Sequence, residues 1–595
     1  MIKCRLSFQV LRTGLSLITV EIVQNQEDAS LFFFYRYCFQ FQDYVMRCMY
    51  TITRYSPVKL HKIFIEKYKG IDMEAIKKCF SASGIFLCVG IAVSAYEVSQ
   101  GPTELIQYDP SRAYEGYTLF SPMLGRNTYL IDMQGQVVNM WSHPEPWVRS
   151  DAREHARLLE DGTLLRAYGS PNGQTPSALK AGLFQIVDWD GEVVWEYENP
   201  REGYSAHHDF RMIWNPKLNE KTIMYTTSRE ISHEEAIRLG VDPGLRENYA
   251  SRPDGLIEID LKGNIIWEWN ISDHLVQDVN PASSNYGVIK EHPERLDPNF
   301  GTGVSGDWIH ANAFDFNESL DHIVINNSVF SEFYVIDHGA TFLAGDPEGS
   351  VALAAGKAGD FIYRWGNSCV YDSGECPSMT NEGMSTSNGH QQVFFSHDIQ
   401  WIANRETPTT ETQVPGIGNF LIFNNGARQP GTTFSSVIEI NPYDGPMELG
   451  RYIPQVTAGY ERSRVGSGMG AASQNVSKQI VWSFNGATPN SFYSSYISGA
   501  QRLPNGNTLI CPGAHGHIFE VTESGDIVWE YINPVGDRTG DDGGIYKIMT
   551  NRTGDAFNTI FKCHRYSSDF AGLKGKDLVP LGKITEIFTK DKIDR

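Results

Sequence analysis

The amino-acid sequence predicts an all-β fold, a six-bladed β-propeller with four-stranded blades and long inter-strand insertions. Three observations predict it. A strand, a glycine turn and a strand ending in tryptophan recur along the chain, and a second hairpin precedes most copies. The composition, with 55 Gly, 28 Pro and 12% aromatics beside 41% apolar residues, is that of many short strands joined by turns. At 595 residues the chain is long for one domain, but a closed array of repeats is larger than an ordinary domain.

The chain begins with a segment set apart from the repeats. Residues 1–72 show no usable periodicity and are taken as an N-terminal extension, with Met73 the expected true start. From Met73 the run "MEAIKKCFSASGIFLCVGIAVSAYEVSQ" has two lysines, an uncharged apolar stretch and the small residues Val93, Ser94 and Ala95, in the order of a secretory signal peptide over 73–95. The other reading is a membrane anchor over 79–96, a stretch short for a span and diluted by small and polar residues. The propeller is assigned to 96–595, exported to a periplasmic or secreted location.

The repeat is legible in "NTYLIDMQGQVVNMW" (127–141), "LFQIVDWDGEVVWEYENP" (183–200), "LIEIDLKGNIIWEWN" (256–270) and "HIFEVTESGDIVWEYINP" (517–534). Weaker copies, "FIYRWGN" (361–367) and "QIVWSFNG" (479–486), complete a series of Trp141, Trp195, Trp267, Trp365, Trp482 and Trp529. Five earlier hairpins, at 155–169, 208–225, 310–327, 397–425 and 498–513, supply the other two strands of most units. Radial repetition leaves few sheet edges exposed. Insertions at 227–250 and 272–308 are placed to shape a site.

Four of those hairpins open with histidine: His155, His208, His310 and His397. The first strand of a propeller blade lines the central channel, so these side chains converge at one mouth. A polar residue before a strand often only satisfies turn backbone groups, and His155 is given that structural place. His208, His310 and His397 are taken together as a candidate site.

Formal net charge is −21, from 71 acidic against 50 basic residues, which disfavours nucleic acid and anionic membranes as partners. Of nine cysteines, five precede the expected cleavage. Among the rest, Cys369 and Cys376 in "WGNSCVYDSGECP" stand close enough for a small disulfide loop, with two unpaired thiols as the alternative. No CxxC or paired-histidine spacing calls for metal, and no cofactor is expected. Sequons at Asn270 and Asn475 matter only in a host that glycosylates exported proteins.

The runs "SAHHDF" (205–210), "DWIHAN" (307–312), "FSHDIQW" (395–401), "IFNNGAR" (422–428), "SGAQRLPNGNTLICPG" (498–513) and "IFEVTESGDIVWEYINP" (518–534) resemble the bacterial-type arylsulfotransferase family. The resemblance covers residues 105 to 580. It implies a six-bladed propeller that moves a sulfuryl group from a phenolic sulfate ester to an acceptor phenol without the nucleotide donor phosphoadenosine phosphosulfate. It implies that His397 is transiently sulfated, that His208 and His310 are further catalytic histidines, that Asn312 contacts substrate, and that Cys369 and Cys376 are bridged. One departure stands out. The arginine the family carries after its HxN motif is Ser328 in "INNSVFSEFYVID", and Arg428 is the substitute proposed for binding donor sulfate.

The chemistry agrees with the residue types. Attack on an aryl sulfate needs a neutral imidazole, local positive charge for the sulfuryl oxygens and an acid for the leaving phenolate. A nucleotide-dependent sulfotransferase needs a phosphate-cradling loop, and "GSVALAAGKAGD" (349–360) lacks its spacing. A quinone-cofactor propeller usually has more blades and a calcium-type carboxylate cluster, which the sequence does not offer. A binding propeller without catalysis, and hydrolysis with water as acceptor, are the competing readings. N-terminal sequencing of the exported protein should find it starting near Tyr96; a mature form that keeps 73–95 means an anchor.

Overall fold

The computed structural model describes residues 3–10, 15–24 and 27–36, then 102–123, 127–142, 155–168, 182–244, 251–300, 307–379, 385–403, 414–427, 429, 434–465, 472–486, 491–536, 547–548 and 558–593. The expected signal segment at 73–95 lies outside the described residues. The chain divides into two compact units, Met1–Val93 and Ser94–Arg595. In the first, Lys3–Val10, Leu15–Gln24 and Glu27–Arg36 form an antiparallel three-stranded sheet, within a stretch where the sequence offers no usable period.

The second unit is mostly strand, in six antiparallel blades. In five of them the innermost strand opens the blade: Ala156–Leu158, Tyr204–Asn215, Phe314–Asn317, His397–Trp401 and Gly499–Arg502. The remaining blade borrows its inner strand, Ile560–Ser567, from the far end of the chain and pairs it with Gly116–Pro122, Asn127–Ile131 and Val137–Ser142. This closure explains why the first repeat has no hairpin of its own ahead of it. Glu104–Tyr108 adds a fifth, outer strand to the last blade beside Ile527–Ile532.

The recurring turn and tryptophan each have a physical reason. In the copies at 132–136, 188–192, 260–264 and 522–526, the fourth residue is a glycine with φ between 73° and 93°, a conformation that disfavours a side chain. A bulge in the strand pair follows at each of these turns. The tryptophans close the seams between blades. The indole N–H of Trp141 donates to the Asp188 carbonyl, Trp195 to Leu261, Trp482 to Glu523 and Trp529 to Met133, while Trp267 donates to the Thr341 hydroxyl. In each case the acceptor belongs to the following blade. Trp365 packs into the same kind of seam without a partner for its N–H among the described residues.

At the axis the inner edges are joined by side chains. Asp209 accepts from Phe314 N at 3.2 Å, Asp315 from Trp401 N at 2.8 Å and Asp398 from Ala500 N at 3.0 Å. In the other direction Arg157 donates to Phe210 O, Arg211 to Phe314 O and Gln501 to Arg565 O. Beyond this belt the channel opens into a cavity of about 720 Å³ lined by Arg157, Arg211, Trp214, Trp401 and Tyr566, with none of the candidate histidines in its wall. No helix among the described residues is long and apolar enough to cross a membrane.

Trp529 joins the last blade to the first, buried fully and with the Arg565 guanidinium 4.7 Å from its ring. Trp529→Phe removes the indole donor and leaves the Met133 carbonyl without it. We expect a loss of about 2 kcal/mol in unfolding free energy, read as a lower urea midpoint with an unchanged slope.

Candidate active site

The candidate histidines stand where inner strands bulge at one mouth of the channel. Pairing of Tyr204–Asn215 with its neighbour slips between Ala206 and Phe210, and pairing of His397–Trp401 slips between His397 and Gln400. Within these bulges His208 has φ 58° and Asp398 φ 53°; His310, ahead of its strand, has φ 49°. Left-handed backbone at non-glycine residues costs energy, so neighbouring bonds must hold it. Asp209 and Asp398 do so through the belt described above.

The structure brings His208, His310 and His397 together. The rings of His208 and His310 lie 4.6 Å apart. Phe561, from the closing strand, stacks on His208 at 5.6 Å and meets His397 edge-on at 6.4 Å. His155 lies on the far side of Phe561, 6.0 Å away, with its Nε2 3.1 Å from Asp209 Oδ1. It is fully enclosed and belongs to the hub, where it faces a carboxylate rather than the turn backbone groups expected for it. Phe395, whose ring lies 6.3 Å from that of His397, and Tyr496 are exposed.

Each histidine has a different partner. His397 Nδ1 lies 2.7 Å from the Asn425 side-chain oxygen. The Asn425 amide nitrogen donates to the carbonyls of Ser494 and Ile497, both at 2.8 Å, so its oxygen faces the imidazole and accepts a proton from Nδ1. The lone pair is therefore on Nε2. Burial pushes His397 down to about 3, and the neighbouring His310 and His208 add to the effect against the Asn425 bond, so the ring is neutral at ordinary pH.

His310 donates from Nδ1 to Asp307 Oδ2 at 2.7 Å. Burial works against charge on Asp307, but the His310 bond outweighs it and the carboxyl stays ionised, held down to about 2. His207 makes a similar pair with Asp254 at 2.7 Å, and burial together with Asp307 raises the Asp254 carboxyl. Burial holds His208 well below its ordinary value, helped by His310 and His207.

Asn312 is fully buried behind the mouth. Its amide donates to Ser396 O at 3.0 Å and accepts from Asn326 at 2.7 Å, so it braces the residue before His397. Ser328 is also fully buried, and its hydroxyl has no hydrogen-bond partner among the described residues. Arg428 lies outside the described residues, three positions after Asn425. A disulfide joins Cys369 to Cys376, and in the loop it closes the Glu375 carbonyl accepts from the backbone N–H of His390, seven residues before His397. Cys511 and Cys563 are buried free thiols. Among the described residues no group of three or more His, Cys, Asp or Glu is placed to hold a metal ion.

Sequence reasoning missed Asn425, Asp307, Phe561 and Lys562. Asn425 and Asp307 lie within runs already noted for their shape, "IFNNGAR" and "DWIHAN". Phe561 and Lys562 carry no such signal, because their strand has neither the glycine turn nor the tryptophan.

A family model described as arylsulfotransferase (ASST) matches residues 106–432. No curated protein matches the chain. Solved structures similar to it include a Bacteroides caccae protein of unknown function, 10% identical with TM-score 0.33, covering 70% of this chain and 93% of its own. A putative 6-phosphogluconolactonase of Bacteroides fragilis is 11% identical with TM-score 0.30, covering 77% and 100%. The periplasmic gluconolactonase of Pseudomonas aeruginosa is 10% identical with TM-score 0.28, covering 72% and 96%.

The buried histidines make a prediction about acid. His155 and His397 are both pushed down to about 3, by burial first, whereas the unfolded chain takes up these protons near pH 6.5. Between those values the unfolded state binds more protons, so their contribution to stability is present above pH 6.5 and lost as pH falls toward 3. The urea midpoint should drop from pH 7 to pH 5. His397→Gln should flatten that dependence by one proton, about 1.4 kcal/mol per pH unit.

Proposed function

The chain belongs to the arylsulfotransferase family, and from that premise we propose that it transfers a sulfuryl group between phenols through a sulfo-histidine at His397, with no nucleotide donor. The observation that carries this reading is the His397–Asn425 pair. It leaves a neutral imidazole with its lone pair on Nε2, which is the form required to attack sulfur.

In the first half-reaction Nε2 bonds to sulfur as the bond from sulfur to the aryl oxygen breaks. The departing phenolate takes a proton from the protonated imidazole of His310, which stands beside the neutral ring of His208. In the second, that imidazole accepts the proton of an acceptor phenol, the phenol oxygen bonds to sulfur and the N–S bond breaks, restoring neutral His397. Asn425 has a further consequence here. Being an amide, it cannot remove the Nδ1 proton, so the sulfated ring stays an imidazolium and a good leaving group for the second step. The His310–Asp307 pair suits the acid–base role, since a fixed carboxylate orients the imidazole and supports its protonated form.

The remaining assignments follow the same reading. Arg428 supplies positive charge to the donor sulfate in place of the arginine absent at Ser328. Asn312 acts on the substrate through the Ser396–His397 turn that it braces. Phe395 and Tyr496 offer exposed rings on which a phenol can stack. Export through the 73–95 signal accords with the Cys369–Cys376 disulfide, since such bonds persist in oxidising compartments.

Wild-type protein incubated with a chromogenic aryl sulfate alone should gain a sulfuryl adduct on the peptide carrying His397. His397→Ala should abolish acceptor-dependent release while remaining folded, and His310→Ala should slow both half-reactions without removing the adduct. An adduct elsewhere, or full turnover in His397→Ala, sinks the assignment; release that ignores the acceptor phenol means hydrolysis.

A further inference from the structure

We propose that Lys562 is the positioning residue of this site: from the closing strand it ties the two histidine-bearing bulges together and fixes how His208 and His397 stand to each other. The proposal rests on the functional reading above for its meaning in catalysis, but not for its geometry.

The Lys562 ammonium is fully buried, 2.9 Å from Asp209 Oδ2 and 3.2 Å from Asp398 Oδ1. Those aspartates directly follow His208 and His397, and sit in the same two bulges. Lys562 lies in a bulge of its own, where pairing of Ile560–Ser567 slips between Ile560 and Cys563. That slip places Phe561 between the histidine rings and turns the next side chain into the axis. One short stretch of chain thus touches both histidines with its aromatic ring and both neighbouring carboxylates with its ammonium.

The space around the bridge is shaped for it. A methyl group at Gly499 would come within 2.5 Å of Asp398 Oδ2 and 3.0 Å of the Lys562 Cβ, so glycine there leaves room for the pair. Burial alone would raise the Asp209 carboxyl; Lys562, then the His155 bond and Arg211, hold it well below its ordinary range. Arg157 approaches the same carboxylate at 3.6 Å, and on the closing strand His564 is pushed down by burial, with Arg157, Lys562, His155 and Arg211 adding to it. On the mouth side His208 faces His207, His310, Asp307 and Asp209, and His397 faces Asn425, His310 and His208.

A lysine that merely filled the hub would be replaceable by any residue that keeps the fold. A lysine that spaces two bulges would not, because arginine keeps its charge but moves the donors and methionine deletes them. Without the ammonium, Asp398 would lose this partner and Asp209 would be left to Arg157 and His155, and the weakened compensation beside the histidines would draw protons onto the imidazoles.

The test uses the full chain with 15N-labelled histidine, as wild type, Lys562→Arg and Lys562→Met. In Lys562→Arg the imidazole signals of His208 and His397 should move while those of His338, held between Glu258 and Asp321, stay in place. In folded Lys562→Met the protonation midpoint of at least one of the two should rise by about a unit, a tenfold change in the neutral fraction on the acid side. Transfer should fall at least tenfold in kcat in both variants with KM nearly unchanged. Unmoved His208 and His397 signals in Lys562→Arg overturn the proposal whatever activity wild type shows. Moved signals in a protein whose wild type transfers no sulfuryl group uphold the geometry and overturn the functional reading instead.

Discussion

Six sheet edges meet at the axis of this molecule, and each brings backbone N–H and C=O groups that have no further strand to pair with. An edge left bare and buried is costly, because every unpaired polar group forfeits its hydrogen bond to water. Asp209, Asp315 and Asp398 answer this by accepting the N–H of the next inner strand, and Arg157, Arg211 and Gln501 by donating to its carbonyl. The belt buries three carboxylates, which would be prohibitive alone. Arg211 pairs with Asp315 at 2.8 Å, and Lys562 and Arg157 serve the other two, so buried charge of one sign meets as much of the other.

The position of the site follows from that belt. To aim Asp209 and Asp398 at the neighbouring blade, their strands must bulge, and the bulge turns the preceding residue toward the channel mouth. That preceding residue is His208 in one blade and His397 in another. Where the belt residue is Asp315 it is preceded by Phe314, and the histidine of that blade stands five residues earlier with its own carboxylate, Asp307. The fold and the site therefore share their strained backbone, with the bonds that join blades also holding His208 in a left-handed conformation.

Much of this was legible in the sequence, for reasons that also mark where it was not. The glycine turns and tryptophans repeat because each blade meets the next through the same contact, so six blades are readable from them. The closing strand is not, since "IFKCHRYS" is buried at every position yet holds a lysine, a histidine and an arginine. No alternation of apolar and polar residues announces it. The charges of Lys562 and Arg565 are tolerated because Asp209, Asp398 and Glu520 come to them from distant parts of the chain. The same holds within the site: a histidine opening an inner strand can be placed from the repeat alone. That Asn312 turns toward Ser396, and that Asn425 turns toward His397, depends on which carbonyls wait on neighbouring blades.

The partners of the histidines divide their chemistry. His310 and His207 each face a carboxylate, which orients the ring through a charge-assisted hydrogen bond. His397 faces an amide, which orients the ring without adding charge, in a setting where burial already disfavours the imidazolium. A carboxylate in the place of Asn425 would raise the affinity of His397 for a proton and so compete with sulfur for the same lone pair. An apolar residue there would leave Nδ1 without an acceptor and free the ring to take the other tautomer. The amide, itself fixed by the Ser494 and Ile497 carbonyls, avoids both, and among the three histidine pairs it is the one that orients a ring without placing a charge beside it.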